Sequence, residues 1–163
     1  MENTVWVKKN DFLYDFLIKG EKTGEMELNF SNLQSAAVFR MNGENYEIKR
    51  SGFWRTIIEV RDHKEILRLK MEPEKWYANS YTGLWGESAI KLFARNNPLA
   101  EYVISNTHQD ILSYGLDTEK NKLFIRITAG EDVPALFHAL LWYLFVPVAN
   151  ENFGNTYAFF PSW

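Results

Sequence analysis

Three basic side chains and two aromatic ones fall close together in Lys49-Arg50-Ser51-Gly52-Phe53-Trp54-Arg55. Lysine and arginine attract anionic headgroups, and indole and phenyl rings settle at the water–lipid boundary. Lys49, Arg50, Phe53, Trp54 and Arg55 are therefore the candidate binding residues for an anionic lipid or another small amphiphile. The competing reading is a solvated turn whose Phe53 and Trp54 open the next strand. The three histidines carry less. His63 sits in a charged turn and His108 in a polar loop, and neither has a partner at ligand spacing. His138 lies inside an apolar stretch, where a charge is costly. A neutral ring hydrogen-bonded to an inward polar group is expected there, with a catalytic histidine in a pocket as the alternative.

The remaining chemistry-bearing residues select no reaction. No histidine or cysteine stands four residues from His138, so no zinc site is expected. Glu72 and Glu74 flank a proline and read as a loop. Glu25 and Glu27 share one strand face and read as solvated, and nothing marks either pair as a glycosidase couple. Gly83-Leu-Trp-Gly86 lacks the Lys-Ser/Thr and the following helix of a phosphate loop. A G-x-S-x-G motif is absent, and with it the signature of a nucleophile elbow. The expectation is a binding protein without catalytic residues, metal or cofactor.

Composition narrows the setting. The 163 residues allow one domain, 1–163, with a sizeable core. Six Trp, eight Tyr and twelve Phe are rich even for a β protein. The net charge of −3 argues against nucleic-acid binding through bulk charge. With no cysteine there is no disulfide framework and no thiol nucleophile. The first residues lack the basic-then-apolar order of a signal peptide, so a cytoplasmic protein is expected.

The elements that must position these residues are mostly strands. From Thr4 to Thr128 the pattern is short apolar/polar alternation broken by turn residues. Met26 and Leu28 alternate with Glu25, Glu27 and Asn29. Asn42-Gly43 between two alternating runs is the strongest hairpin signal. Tyr46 and Ile48 then point inward, and Leu67, Leu69 and Met71 oppose Arg68 and Lys70. Gly20–Gly24, Asn96–Pro98 and Asp117–Asn121 read as turns or loops. About a dozen short strands are expected in this range.

One helix follows, predicted over 132–147. Asp132 is its expected N-cap, Pro134 sits in its first turn, and Pro147 is its expected stop. Leu136, Phe137, Leu140, Leu141, Trp142, Leu144 and Phe145 leave no polar stripe, which marks a helix wrapped by protein or lipid. A run of about fourteen residues is short of the roughly 20 needed to span a bilayer. A sheet of a dozen strands must hide its edges, and a closed barrel this wide needs a filling. The expected fold is all-β: a closed antiparallel barrel around a central hydrophobic C-terminal helix.

The chain resembles the tubby-like superfamily, which includes the phospholipid scramblases and the LURP-one-related proteins. Asn42-Gly-Glu-Asn-Tyr-Glu-Ile-Lys-Arg50 is similar to that family's turn, tyrosine and strand. Val60-Arg-Asp-His-Lys-Glu-Ile-Leu-Arg-Leu-Lys70 is similar to its aspartate, turn and basic-ended strand, and Val133–Val146 to its apolar terminal helix. The resemblance implies a closed twelve-stranded barrel. Some members bind phosphoinositides through basic surface residues. The Cys-rich and Pro-rich segments of scramblases have no counterpart here. The tail, 150–163, is strongly aromatic. Phe153, Tyr157, Phe159, Phe160 and Trp163 must dock on the barrel or on another copy, since large apolar groups seldom stay exposed. A structural or protein-interaction module using this tail is the alternative function.

Overall fold

The structure is a computed structural model that describes residues 3–29, 36–52, 54, 56–75, 80–96 and 99–154. Twelve strands form one antiparallel sheet in which every strand pairs with its neighbours in sequence. They are β1 (Thr4–Lys8), β2 (Leu13–Ile18), β3 (Glu21–Asn29), β4 (Ala36–Met41), β5 (Glu44–Ser51) and β6 (Ile57–Asp62). The second half is β7 (Leu67–Pro73), β8 (Ser80–Trp85), β9 (Ser88–Asn96), β10 (Ala100–Ser105), β11 (Asp110–Glu119) and β12 (Lys122–Ala129). Among the described residues one helix, α1 (Ala135–Phe153), follows the last strand. The sheet curls almost closed on itself, with α1 packed against its inner face. An all-β barrel with one hydrophobic helix is thus what the alternation and the apolar run together predicted.

Register follows the turns. Asn42 and Gly43 take φ of 50° and 78°, and the flanking strands pair Met41 with Glu44. Positive φ at both positions matches the twist of the strands it joins. Inward positions are occupied as the alternation requires: Met26, Leu28, Phe39, Ile48, Leu69 and Met71 are all buried. Leu67 is the exception. The ladder shifts between Val60 and Arg61, which pair with Leu69 and Leu67, and Leu67 ends up 41% exposed. One extra residue in a strand turns the following side chains to the other face.

Two expected loops shrink. The Gly20–Gly24 turn is confined to Lys19 and Gly20, because β3 already starts at Glu21. The Asp117–Asn121 loop becomes a tight turn at Lys120 and Asn121, both at positive φ, since Asp117 and Thr118 still pair with β12. The predicted turn at 96–98 lies partly outside the described residues.

The helix departs from its predicted ends at both sides. Asp132 has φ of 53° and does not cap; α1 starts after Pro134 with no side-chain cap. A left-handed residue two positions before the cap turns the chain into the barrel, and that turn takes precedence over capping. Pro147 does not stop the helix, which runs on to Phe153. Pro147 costs about 3 kcal/mol in a helix interior, but it stands on the exposed side. Val146 and Ala149 beside it are buried, and Phe153 packs on the core. Their burial holds the last turns in place. Phe153 therefore belongs to the helix. Tyr157, Phe159, Phe160 and Trp163 lie outside the described residues, as does the rest of 155–163.

The core is aromatic. Trp142 of α1 stacks on Trp6 of β1 at 5.2 Å and 5°, and meets Tyr14 edge-on at 5.3 Å. Such pairs contribute about 1 kcal/mol beyond the area they bury. Trp142 also stands behind the seam between the two edge strands, β1 and β12, which are not paired with each other. Thr4, Val5 and Trp6 line one side of that seam, and Ile125 and Ile127 the other. Among the described residues no helix is long and apolar enough to cross a membrane.

Candidate ligand site at the barrel mouth

The barrel has two mouths, and α1 enters through one of them. Strand ends meet there: the start of β1 at Thr4, and the ends of β2 at Ile18, β4 at Met41 and β12 at Ala129. The connection 130–134 crosses this mouth and is anchored by the Gly130 N–H, which donates to the Ile111 carbonyl at 2.9 Å. A cavity of about 640 Å³ opens between these ends and the first turn of α1. It is within the usual range for small-molecule sites, about 300–1,000 Å³. Phe16, Ile18, Met41, Val133 and Ala135 form apolar walls. Thr4, Glu131, Asp132 and His138 supply the polar groups. Two shallower depressions, about 520 and 290 Å³, flank the same first turn of α1 and share Pro134.

His138 is 6% exposed and is held from behind. Trp6 Nε1 donates to Tyr114 Oη at 2.8 Å, and Tyr114 Oη lies 2.7 Å from His138 Nδ1. Indole N–H only donates, so the tyrosine oxygen accepts from Trp6. Tyr114 is wholly buried and His138 Nδ1 is the one acceptor its hydrogen reaches among the described residues, so that hydrogen goes to Nδ1. Nδ1 is then the acceptor and the imidazole proton sits on Nε2. Burial pushes the His138 pKa down to about 4, so the ring is neutral near pH 7. Burial also raises the Tyr114 phenol, against the opposing bond from Trp6, which keeps its proton in place. His138 is therefore a fixed neutral donor and not a titrating base at neutral pH. The expectation of a buried neutral histidine with a polar partner is met. The sequence did not name Tyr114 or Trp6. Both stand at inward positions of their strands among other aromatics, and only the fold brings residues 6, 114 and 138 together.

Glu131 and Asp132 are exposed at the cavity rim, and among the described residues neither forms an ion pair. Their presence was not anticipated either, because Asp132 was assigned to the helix cap. The carboxylate pairs singled out in the sequence are held in ion pairs elsewhere. Glu25 pairs with Lys22 and Arg40, Glu27 with Arg40, Glu72 with Lys70 and Glu74 with Lys91. Asp62 organises the β6–β7 turn beside His63. Burial alone would raise its carboxyl. The N–H groups of Ile66 and Lys64 and the Arg68 guanidinium outweigh that and hold it below the ordinary range. His63 and His108 are exposed.

Of the candidate lipid residues, Lys49, Arg50 and Trp54 are described and lie towards the opposite mouth. Lys49 and Arg50 are adjacent on β5 and point to opposite faces. Lys49 lies 3.5 Å from Glu47. Arg50 turns inward, with its guanidinium 5.6 Å from the centre of the Tyr143 ring and facing Tyr81. Trp54 is 79% exposed. Phe53 and Arg55 lie outside the described residues. The two described cations are thus not brought together on one surface.

Known proteins offer no shortcut. No family model, no curated protein and no solved structure matches this chain. The functional argument rests on the site alone. Among the described residues no group of three or more His, Asp or Glu is arranged to hold a metal ion.

Proposed function

We propose that this chain is a non-enzymatic, tubby-like binding barrel whose ligand, a small amphiphile, enters the mouth beside the start of α1. The observation that carries the reading is the cavity of about 640 Å³ with His138, almost wholly buried, in its wall. Apolar walls favour a hydrocarbon segment by about 25 cal/mol for each Å² removed from water. A few fixed polar groups in such walls set orientation. The rim favours some headgroups over others. Glu131 and Asp132 repel an anion, by about 1 kcal/mol for each charge held at 4 Å in water. A neutral or cationic amphiphile suits this mouth better than an anionic one.

The test is binding of N-phenyl-1-naphthylamine, an uncharged amphiphile whose fluorescence rises in apolar surroundings. Saturable binding is expected for the native protein and loss of it for Ala135→Trp, which places an indole in the cavity. If the native protein does not bind the probe, or Ala135→Trp binds it equally well, the reading is wrong.

The exposure of Trp54 supports a second reading, in which the Lys49–Arg55 turn meets an anionic membrane. A cation near such a surface would contribute about 1 kcal/mol, and Arg50, turned inward on Tyr143, would add none. Co-sedimentation with anionic but not neutral vesicles at low salt, lost in the Lys49→Ala, Arg55→Ala protein, would favour it. Protein left in the supernatant with both vesicles would dismiss it.

A further inference from the structure

The hydrogen-bond chain behind the cavity fixes what a ligand must present to it. We infer that the mouth selects an uncharged amphiphile carrying a hydrogen-bond acceptor, a ketone, ester or amide carbonyl, which receives the Nε2 proton of His138. This rests on the proposed mouth site and adds the chemistry of its ligand.

The wholly buried Tyr114 hydroxyl has one acceptor for its hydrogen among the described residues, His138 Nδ1. Trp6 Nε1 gives its hydrogen to Tyr114 Oη, and Tyr114 gives its own to His138 Nδ1. The proton of a neutral imidazole is thereby assigned to Nε2. No described residue bonds that nitrogen: Tyr114 is the one hydrogen-bond partner of His138. The residue is more than nine-tenths buried, yet it lines the cavity, so Nε2 is its only polar atom left for an occupant. Nε2 is not among the fully buried atoms without a partner, so it is open to the cavity, where a ligand acceptor can take the place of water. Thr4, buried beside it on β1, contributes a hydroxyl to the same wall.

The rest of the cavity narrows the class. A carboxylate or phosphate would supply an acceptor but would meet Glu131 and Asp132 at the rim, with no cation in the lining to offset them. An ammonium would suit the rim but has no lone pair for Nε2. A plain hydrocarbon would fill the apolar walls and leave Nε2 without a partner. A carbonyl joined to a short alkyl chain satisfies both the wall and the donor.

The test is displacement of N-phenyl-1-naphthylamine by four ligands of similar length: 2-nonanone, nonanoate, nonylamine and nonane. For the native protein 2-nonanone is expected to displace the probe several-fold more effectively than nonane, up to about tenfold, the ratio for one net hydrogen bond. Nonanoate is expected to be weaker than 2-nonanone, with the gap closing in Glu131→Gln, Asp132→Asn. In His138→Phe the preference for 2-nonanone over nonane should disappear, each ligand being compared against that variant's own affinity for the probe. Tyr114→Phe, which frees the tautomer, should reduce that preference. Should His138→Phe fail to fold, nitrogen-15 spectra of the native protein serve instead. The proton is expected on Nε2 of His138, with a shift on adding 2-nonanone.

Equal displacement by 2-nonanone and nonane from the native protein overturns the inference and leaves the mouth site standing, because the probe reports that site by itself. So does a preference that survives in His138→Phe, or a proton found on Nδ1. Failure of the probe to bind the native protein overturns both.

Discussion

Acid should destabilise this protein through His138 as pH falls from 7 towards 4. His138 has a folded pKa of about 4 against an ordinary value of 6.5, because burial penalises the imidazolium. Between these values the unfolded chain binds a proton that the folded chain refuses. The stability contributed by the neutral ring is fully present above pH 6.5 and falls as pH drops towards 4. Below 4 both states are protonated and the loss is complete. The gap corresponds to a loss on the order of 3 kcal/mol, a large part of the 5–15 kcal/mol typical of a domain. Asp62 does not confuse this window. Its carboxyl is held below its ordinary 3.8, so its contribution is lost only at lower pH. Urea unfolding followed by tryptophan fluorescence at steps from pH 7 to pH 4 measures the effect. His138→Gln removes the titrating group, and its stability should change much less over the same steps. Parallel curves for the two proteins would refute the argument, since they would show that His138 is not kept neutral by the fold.

Three further outcomes follow from the packing. Leu140 is fully buried at the centre of α1. Leu140→Ala should cost about 2–5 kcal/mol in urea unfolding, and Leu140→Asp should abolish the cooperative melt. A soluble, cooperatively melting Leu140→Asp protein would contradict a helix buried in the barrel. A Cβ at Gly83 would lie 2.5 Å from the Lys70 carbonyl oxygen and 2.6 Å from Met71 Sδ. Gly83→Val should therefore destabilise by about 2 kcal/mol, read as a lowered thermal midpoint. Arg50 rests on Tyr143, whereas Lys49 lies against Glu47 at the surface. Arg50→Ala should lower the thermal midpoint clearly and Lys49→Ala by little, since exposed pairs contribute less than about 1 kcal/mol.

Much of the fold was legible because strands advertise themselves by period. Met26/Leu28, Tyr46/Ile48 and Leu69/Met71 are inward in the structure as their alternation demands. Asn42-Gly43 named its own turn, and the apolar run around Leu140 named its own burial. What local pattern missed was decided by tertiary packing. Pro147 breaks an isolated helix, but burial of Val146 and Ala149 on either side carries α1 past it. Leu67 looks inward by period and faces out because the ladder slips at Arg61.

The site was less legible still. His138 could be read as buried and neutral, but its partner Tyr114 is 24 positions away along the chain, and Trp6, which bonds Tyr114, is a further 108. Glu131 and Asp132 acquire a role only because the chain turns at Asp132 and sets both carboxylates on a rim. Conversely, Lys49 and Arg50 looked like a patch because they are adjacent in sequence. On a strand, adjacency places them on opposite faces.

Mapping the ligand by nuclear magnetic resonance tests the central claim most directly. Backbone amide spectra of nitrogen-15-labelled protein would be recorded during titration with 2-nonanone. The account predicts saturable shifts confined to the mouth beside the start of α1: Thr4, Ile18, Met41, residues 129–135 and His138. Shifts centred on the Lys49–Trp54 turn, or none at any concentration that remains in solution, would contradict it.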